Sequence, residues 1–319
     1  MIHKYQEMAE TGNTKPSRFI SSVSVVLFFY FILGSFVGLI PVIFALARNR
    51  NAIFDLTTTN DSLEFIGKYV NPITNYIFTN LTIYLMLAGI IIAVKFIHYR
   101  TFTSLITTES RIKWSRFWMG FLVYGGIIAA GTAVDYLLSP GSYSFSFDAS
   151  KFWIALPVIL IMTPLQSATE ELVFRGYVIQ SFGLKIKSGI LLSIISGFFF
   201  TLPHLLNPEV TASNKLGAVN TICTVLNYFV FGVILAMVTI RTNSLEAAIG
   251  AHTVNNLICF LLVGYPDNAL STNTVFYTSK FEPVSGLLSA VITGILFYLI
   301  TAFLTRKSRQ TGFGSTLGN

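Results

Sequence analysis

The sequence predicts an all-α, polytopic membrane bundle of about eight transmembrane helices with a polar cavity buried inside it. Three observations carry that prediction. Hydrophobic residues make up 53% of the 319 positions and charged residues only 11%, against roughly 25% charged in an ordinary soluble domain. Apolar runs recur that are long enough to cross a ~30 Å hydrocarbon core, which takes roughly 20 residues of helix. The ionisable side chains inside those runs fall into three groups on separate helices.

The expected spans are Phe19 to Ala47, Tyr76 to Ile97, Phe117 to Leu138, Phe152 to Phe182, Ser188 to Leu206, Ile222 to Ile240, Ser244 to Val263 and Val284 to Leu304. The fifth and seventh are the least apolar. The first run ends in "ALA" at Ala45 to Ala47, which resembles a signal-peptide cleavage site. It is nearly twice the length of a signal h-region of about 7–15 residues, so it reads as an uncleaved span. Residues 19–305 form one helical domain, flanked by polar tails at 1–18 and 306–319. The longest outer loop runs from Arg48 to Asn75, and neither an internal repeat nor a low-complexity tract stands out.

Charge orients the bundle. The net charge is +7. With the N-terminus inside, fourteen of the 21 Lys and Arg residues fall in inner segments and six in outer ones, with Arg175 inside a span. That bias predicts a multi-pass protein of the cell membrane with both termini cytoplasmic. The same distribution removes the nucleic-acid reading of a basic protein, since no aromatic-basic interleaving accompanies it. Cys223 and Cys259 lie in apolar runs without metal-ligand spacing and read as small buried hydrophobes. Trp114, Trp118 and Trp153 suit an interfacial belt. Glu246 at a helix start favours the macrodipole, Asp135 sits near a span end, and Pro72 and Pro157 read as loop or helix-start residues.

Ionisable groups at membrane depth cost about 2.5–3.5 kcal/mol each on insertion scales and are functional candidates by default. The first group is Glu170, Glu171 and Arg175 in "SATEELVFRGY". The second is His204 in "FFFTLPHLLNP". The third is His252 with Asn256 in "LEAAIGAHTVNNL". Of the four histidines, His3 lies in the tail and His98 at a span end beside Arg100.

Helix geometry sorts these residues. Glu171 and Arg175 are i,i+4 and can pair, which leaves Glu170 as the carboxylate without an intrahelical partner. His252 and Asn256 share a face, as do Phe200 and His204. At 1.5 Å per residue from the inner helix ends, Glu170 lies roughly 18 Å deep, His204 roughly 24 Å and His252 roughly 14 Å. Tilt and side-chain length bridge that spread, so the three groups can meet in one cavity, with Pro164 and Pro203 bending the helices that carry them. A carboxylate near an imidazole can deprotonate water. A second imidazole with an amide can donate to a developing oxyanion. No GxSxG or HExxH motif occurs, and no serine or cysteine has a nucleophile's context, "LNYFVFGVILAM" included.

These residues resemble a known set. "EELVFRGY" from Glu170 to Tyr177 resembles the EExxxR signature of the CAAX-protease and bacteriocin-processing (CPBP or Abi) family of intramembrane glutamic endopeptidases, which includes type II CAAX prenyl endopeptidase-like proteins. "FTLPH" from Phe200 to His204 resembles its FxxxH element, and "HTVNN" from His252 to Asn256 its HxxxN element. The resemblance covers about Phe152 to Val263. It implies peptide hydrolysis within the membrane by a glutamate and water. Carried over, Glu170 with His204 would activate the water, His252 and Asn256 would stabilise the oxyanion, and Glu171, Arg175 and Phe200 would support the site.

No cofactor is expected. Zinc is the alternative, with Glu170, His204 and His252 as its ligands, although their spacing matches no standard zinc motif. The expected partners are the lipid bilayer and a membrane-associated peptide or protein substrate. The resemblance offers prenylated C-terminal peptides or bacteriocin and signalling-peptide precursors. Short tails lean the reading towards peptide processing or self-immunity in a bacterium. Two competing readings are a proton-coupled transporter, since buried Glu, His and Arg also build relays, and a non-catalytic membrane scaffold on the same fold.

Overall fold

A computed structural model describes residues 4–58, 62–268, 270 and 272–310. His3 and the end of the expected C-terminal tail lie outside the described residues. Six helices are long and apolar enough to cross a membrane: α1 (Pro16–Arg48), α2 (Pro72–Ile97), α3 (Trp114–Leu138), α4 (Ala149–Gly183), α7 (Ala218–Thr242) and α9 (Pro283–Gln310). Between α4 and α7 lie α5 (Gly189–His204) and α6 (Pro208–Lys215). Between α7 and α9 lies α8 (Glu246–Leu262).

Among the described residues six, or up to seven, of the about eight expected spans meet this test of length and composition, and the two runs that differ are the two least apolar. The fifth run is α5, which with α6 forms a pair bent by 81° and makes a seventh span only if the pair counts as one. The cause of the break is local. Pro208 disfavours helical backbone at the residue before it, and Asn207 is extended (φ −71°, ψ 147°). The seventh run, α8, spans about 26 Å at 1.5 Å per residue, less than a typical hydrocarbon core.

The helix ends follow their sequences. Pro72 stands at the first position of α2, where the Asn71 side chain accepts the Ile73 N–H (2.9 Å). Asp148 caps α4 by accepting the N–H groups of Ser150 (3.0 Å) and Lys151 (3.3 Å). These caps satisfy donors that a helix start leaves open. Pro157 lies inside α4 with Pro164, not at its start as the sequence reading had it. The Arg48–Asn75 loop is largely helical, at Arg50–Thr58 and Ser62–Tyr69. Four helices carry π turns, at Phe28–Leu33, Ala93–Ile97, Leu172–Val178 and Ile258–Leu262.

The segments expected on one side of the membrane do gather on one face. Thr107 bridges to Ser244, and Tyr5 donates its N–H to Asn243 Oδ1 (3.1 Å) and its hydroxyl to the Leu105 carbonyl (2.6 Å). Residues 5–11, read as part of a free tail, form a 3-10 turn that closes this face. Arg100 holds it by donating to Met8 O (3.1 Å) and to Gln180 Oε1 of α4 (2.6 Å). The opposite face carries a three-stranded sheet, β1 (Tyr143–Phe145), β2 (Val263–Gly264) and β3 (Phe276–Thr278), in the order β1-β3-β2. β1 runs antiparallel to β3 and β2 parallel to it.

Small residues set the placement of the motif helices. α8 lies against α3 so closely that a Cβ on Gly250 would come within 2.1 Å of the Phe117 carbonyl oxygen, and one on Gly120 within 2.0 Å of the Ala247 carbonyl oxygen. Small residues at such crossings let backbones approach and give membrane helices their packing energy. Gly250 stands two residues before His252, so this crossing fixes the depth and rotation of that histidine. Gly250→Val is expected to lower stability by about 1–3 kcal/mol, the usual cost of overpacking. Thermal unfolding in detergent checks this, and an unchanged melting temperature would contradict it.

Candidate active site

The motif residues of α4 stand where its hydrogen bonding changes. The α-helical part ends at Glu171, and a π segment runs from Leu172 to Val178. Such π turns widen a helix locally and are frequent at functional sites. The expected pair between Glu171 and Arg175 forms across the change, with Oε1 3.0 Å from the guanidinium and both side chains fully buried. The guanidinium also lies over the Phe200 ring of α5, 4.0 Å from its centre. Burying an ion pair is tolerable only when both charges are compensated.

Glu171 has a second partner, on a third helix. His252 Nδ1 lies 2.7 Å from the same Glu171 Oε1. Since a carboxylate only accepts, Nδ1 carries the hydrogen of this bond. Nε2 then points the other way, 3.8 Å from Glu170 Oε2. The sequence reading had Glu171 paired within its own helix and His252 free in the cavity. The structure adds that Glu171 also orients the imidazole, the arrangement by which a carboxylate selects a histidine tautomer. Ionised Glu170 and Glu171 with Arg175 sum to −1, and a proton on His252 would make the group neutral.

Glu170 is buried, at 8% exposed, yet it opens onto a cavity of about 1890 Å³. His204 lines the same cavity. Its Nδ1 donates to the Phe200 carbonyl (2.7 Å), one helical turn back, so in the neutral ring Nε2 keeps its lone pair. Phe200 is thus a support on two counts, stacking on Arg175 and holding His204. The cavity runs between α1 and α2 on one side and α4 and α5 on the other, and apolar residues of α1 such as Ile20, Val23 and Leu27 line it. These three side chains are exposed.

Asn256 sits one turn beyond His252 on α8, half-buried. Its Oδ1 accepts from Asn255 Nδ2 (3.1 Å), which leaves its own amide N–H groups to donate elsewhere. It is not among the residues lining the cavity. Among the described residues no three His, Cys, Asp or Glu side chains, the trio named for a possible metal included, converge as metal ligands.

Sequence reasoning passed over Gln166. It is buried, lines the cavity, and its Nε2 is 3.4 Å from Glu170 Oε1. The signal was available, since Gln166 precedes Glu170 by four residues and therefore shares its face. His98, placed by the sequence only at a span end beside Arg100, has its Nδ1 on the Asn13 carbonyl (2.7 Å) and its Nε2 on the Tyr177 hydroxyl (2.9 Å). His98 ties the N-terminal segment to the last residue of the first motif. Glu246 accepts the Lys113 N–H (2.9 Å).

Residues 150–258 match the family model described as type II CAAX prenyl endopeptidase Rce1-like. That segment contains all three motifs and bears out the resemblance to the CAAX-protease and bacteriocin-processing family. A curated relative, the uncharacterized protein YyaK of Bacillus subtilis (strain 168), is 29% identical over 306 residues, covering 95% of this chain and 97% of its own. No solved structure matches.

The buried Glu171–Arg175 pair yields a test. Arg175→Met should cost about 3–5 kcal/mol, the penalty for leaving a buried charge without its partner. The double substitution Arg175→Met with Glu171→Gln should recover part of that loss, and a double-mutant cycle on unfolding in detergent measures the coupling. Strictly additive effects would show that the two residues do not act as a pair.

Proposed function

We propose that this chain is an intramembrane endopeptidase that hydrolyses a peptide bond of a membrane-associated peptide or protein with an activated water. The single observation that carries the reading is the division of the two adjacent glutamates. Glu171 is sealed between Arg175 and His252, whereas Glu170 opens with His204 onto one large cavity.

In this scheme a water sits between the Glu170 carboxylate and His204 Nε2. His204 accepts one of its hydrogens and orients it. Glu170 takes the other as the water oxygen attacks the scissile carbonyl carbon. The carbonyl oxygen gains negative charge and accepts hydrogen bonds from protonated His252 Nε2 and from the Asn256 amide, which must turn towards the cavity to do so. Glu170 then delivers its proton to the departing nitrogen, the carbonyl re-forms as the C–N bond breaks, and the products are an amine and a carboxylic acid, whose remaining proton leaves through His204 to solvent. Glu171 and Arg175 take no part in the proton transfers and hold His252 in place. No step in this scheme calls on a metal ion.

The substrate class follows from the cavity wall. Apolar residues of α1 on that wall suit a peptide that carries a lipid chain or an apolar segment, as the type II CAAX prenyl endopeptidase family would imply. A bacterial peptide precursor fits the same wall, and peptide processing or self-immunity remains within this proposal. The face that gathers residues 4–18, 95–116, 184–188 and 241–246 carries eleven Lys and Arg residues, and we assign it to the cytoplasmic side of the cell membrane.

Purified protein in proteoliposomes should release product from a membrane-anchored peptide library, read by mass spectrometry. Glu170→Gln should reduce the rate by about 10²–10⁴-fold, the usual contribution of a general base. A chelator should leave wild-type cleavage unchanged. Equal rates in wild type and Glu170→Gln would refute the assignment, as would loss of cleavage on chelation with recovery on adding zinc. Glutamate-dependent solute flux without cleavage would instead identify a transporter.

A further inference from the structure

The stretch "LNYFVFGVILAM" of α7 carries none of the three motifs, yet two of its aromatic rings reach the two site histidines. Tyr228 lies against His204, with ring centres 4.6 Å apart and planes tilted by 38°. Phe200 also stacks with His204, at 4.3 Å and the same tilt. With Nδ1 already bonded to the Phe200 carbonyl, contact with both rings leaves the imidazole little freedom to turn. Phe231 meets His252 edge-on at 5.1 Å and touches Phe200 at 5.9 Å. Tyr228 and Phe231 are three residues apart, so they are neighbours on one face of α7.

The far end of Tyr228 is held as well. Its hydroxyl accepts from Asn207 Nδ2 (3.1 Å), in the turn between α5 and α6. The phenol thus links the break in the bent pair to the ring that precedes it. α5 ends at His204, where helical hydrogen bonding no longer constrains the chain on both sides. Without a contact from another helix, the orientation of His204 would rest on its own backbone bond and on Phe200 alone.

We infer that Tyr228 and Phe231 are positioning residues of the site, Tyr228 setting the ring of His204 and Phe231 that of His252. α7 then acts as the ruler that spaces the two imidazoles. The inference rests on the endopeptidase reading for its kinetic consequence but has a structural consequence of its own. The ring of Tyr228 is the working part, and its hydroxyl serves the α5–α6 turn.

Two measurements test it on the full-length protein. In cleavage assays Tyr228→Leu should lower kcat roughly tenfold to a hundredfold, the cost of misplacing a reacting group by about 1 Å, with KM unchanged. Tyr228→Phe should restore most of the rate. Phe65→Leu, in a separate buried cluster where Phe65 packs with Tyr69, should lower the melting temperature without this loss of kcat. Full activity in Tyr228→Leu, or equal losses in Tyr228→Phe and Tyr228→Leu, would overturn the inference. Independently of any activity, NMR of ring-labelled histidine should show the His204 resonance losing its ring-current shift in Tyr228→Leu and keeping it in Tyr228→Phe. An unmoved His204 resonance in Tyr228→Leu would also overturn it, whereas an inactive wild type with the expected shifts would count against the endopeptidase reading alone.

Discussion

The Glu171 carboxylate is held from two sides by two different helices, the Arg175 guanidinium at 3.0 Å and His252 Nδ1 at 2.7 Å, with no exposure to solvent. A lone carboxylate at that depth would not stay ionised, since desolvation is severe for an unpaired charge. Arg175 alone would balance the charge but would leave an imidazole unoriented. With both partners, one buried anion neutralises a cation, fixes the tautomer of a histidine on α8, and ties α4 to α8. Glu170, the next residue along, is turned by the helix into the cavity.

That interaction depends on where the helices cross. α8 reaches α4 at the right height because glycines at the α3 crossing admit near-backbone contact. The π segment after Glu171 lets Arg175 reach both Glu171 and the Phe200 ring. α5 is then locked to α4 by an aromatic and a cation, and its last residue is His204. The chain of cause runs from small residues and one widened turn to three helices, and from three helices to a carboxylate and an imidazole on the wall of one cavity.

Much of this was legible in the sequence. Six long spans follow from hydrophobic length, the Glu171–Arg175 pair from the i,i+4 rule, and the sharing of one cavity by Glu170 and His204 from their depth along their helices. The bond from His252 to Glu171 was not legible, because periodicity describes one helix and that bond joins two. The break after His204 was visible as Pro203 and Pro208, but composition alone made the run look like a span. α8 was counted as a span although its length is marginal. The N-terminal segment looked like a polar tail because its anchors, His98, Arg100 and Asn243, are far away in sequence. Gln166 was readable by the same spacing rule that sorted the glutamates. The small sheet, three residues or fewer per strand, leaves no alternating pattern to read.

The account comes down to what occupies the space between Glu170 and His204. An experimental structure of the protein in lipid, at a resolution that shows ordered solvent, addresses this most directly. It should show a water within hydrogen-bond distance of both the Glu170 carboxylate and His204 Nε2. A metal ion in that place, or Glu170 turned to bond His252 with His204 facing away from it, would contradict the account.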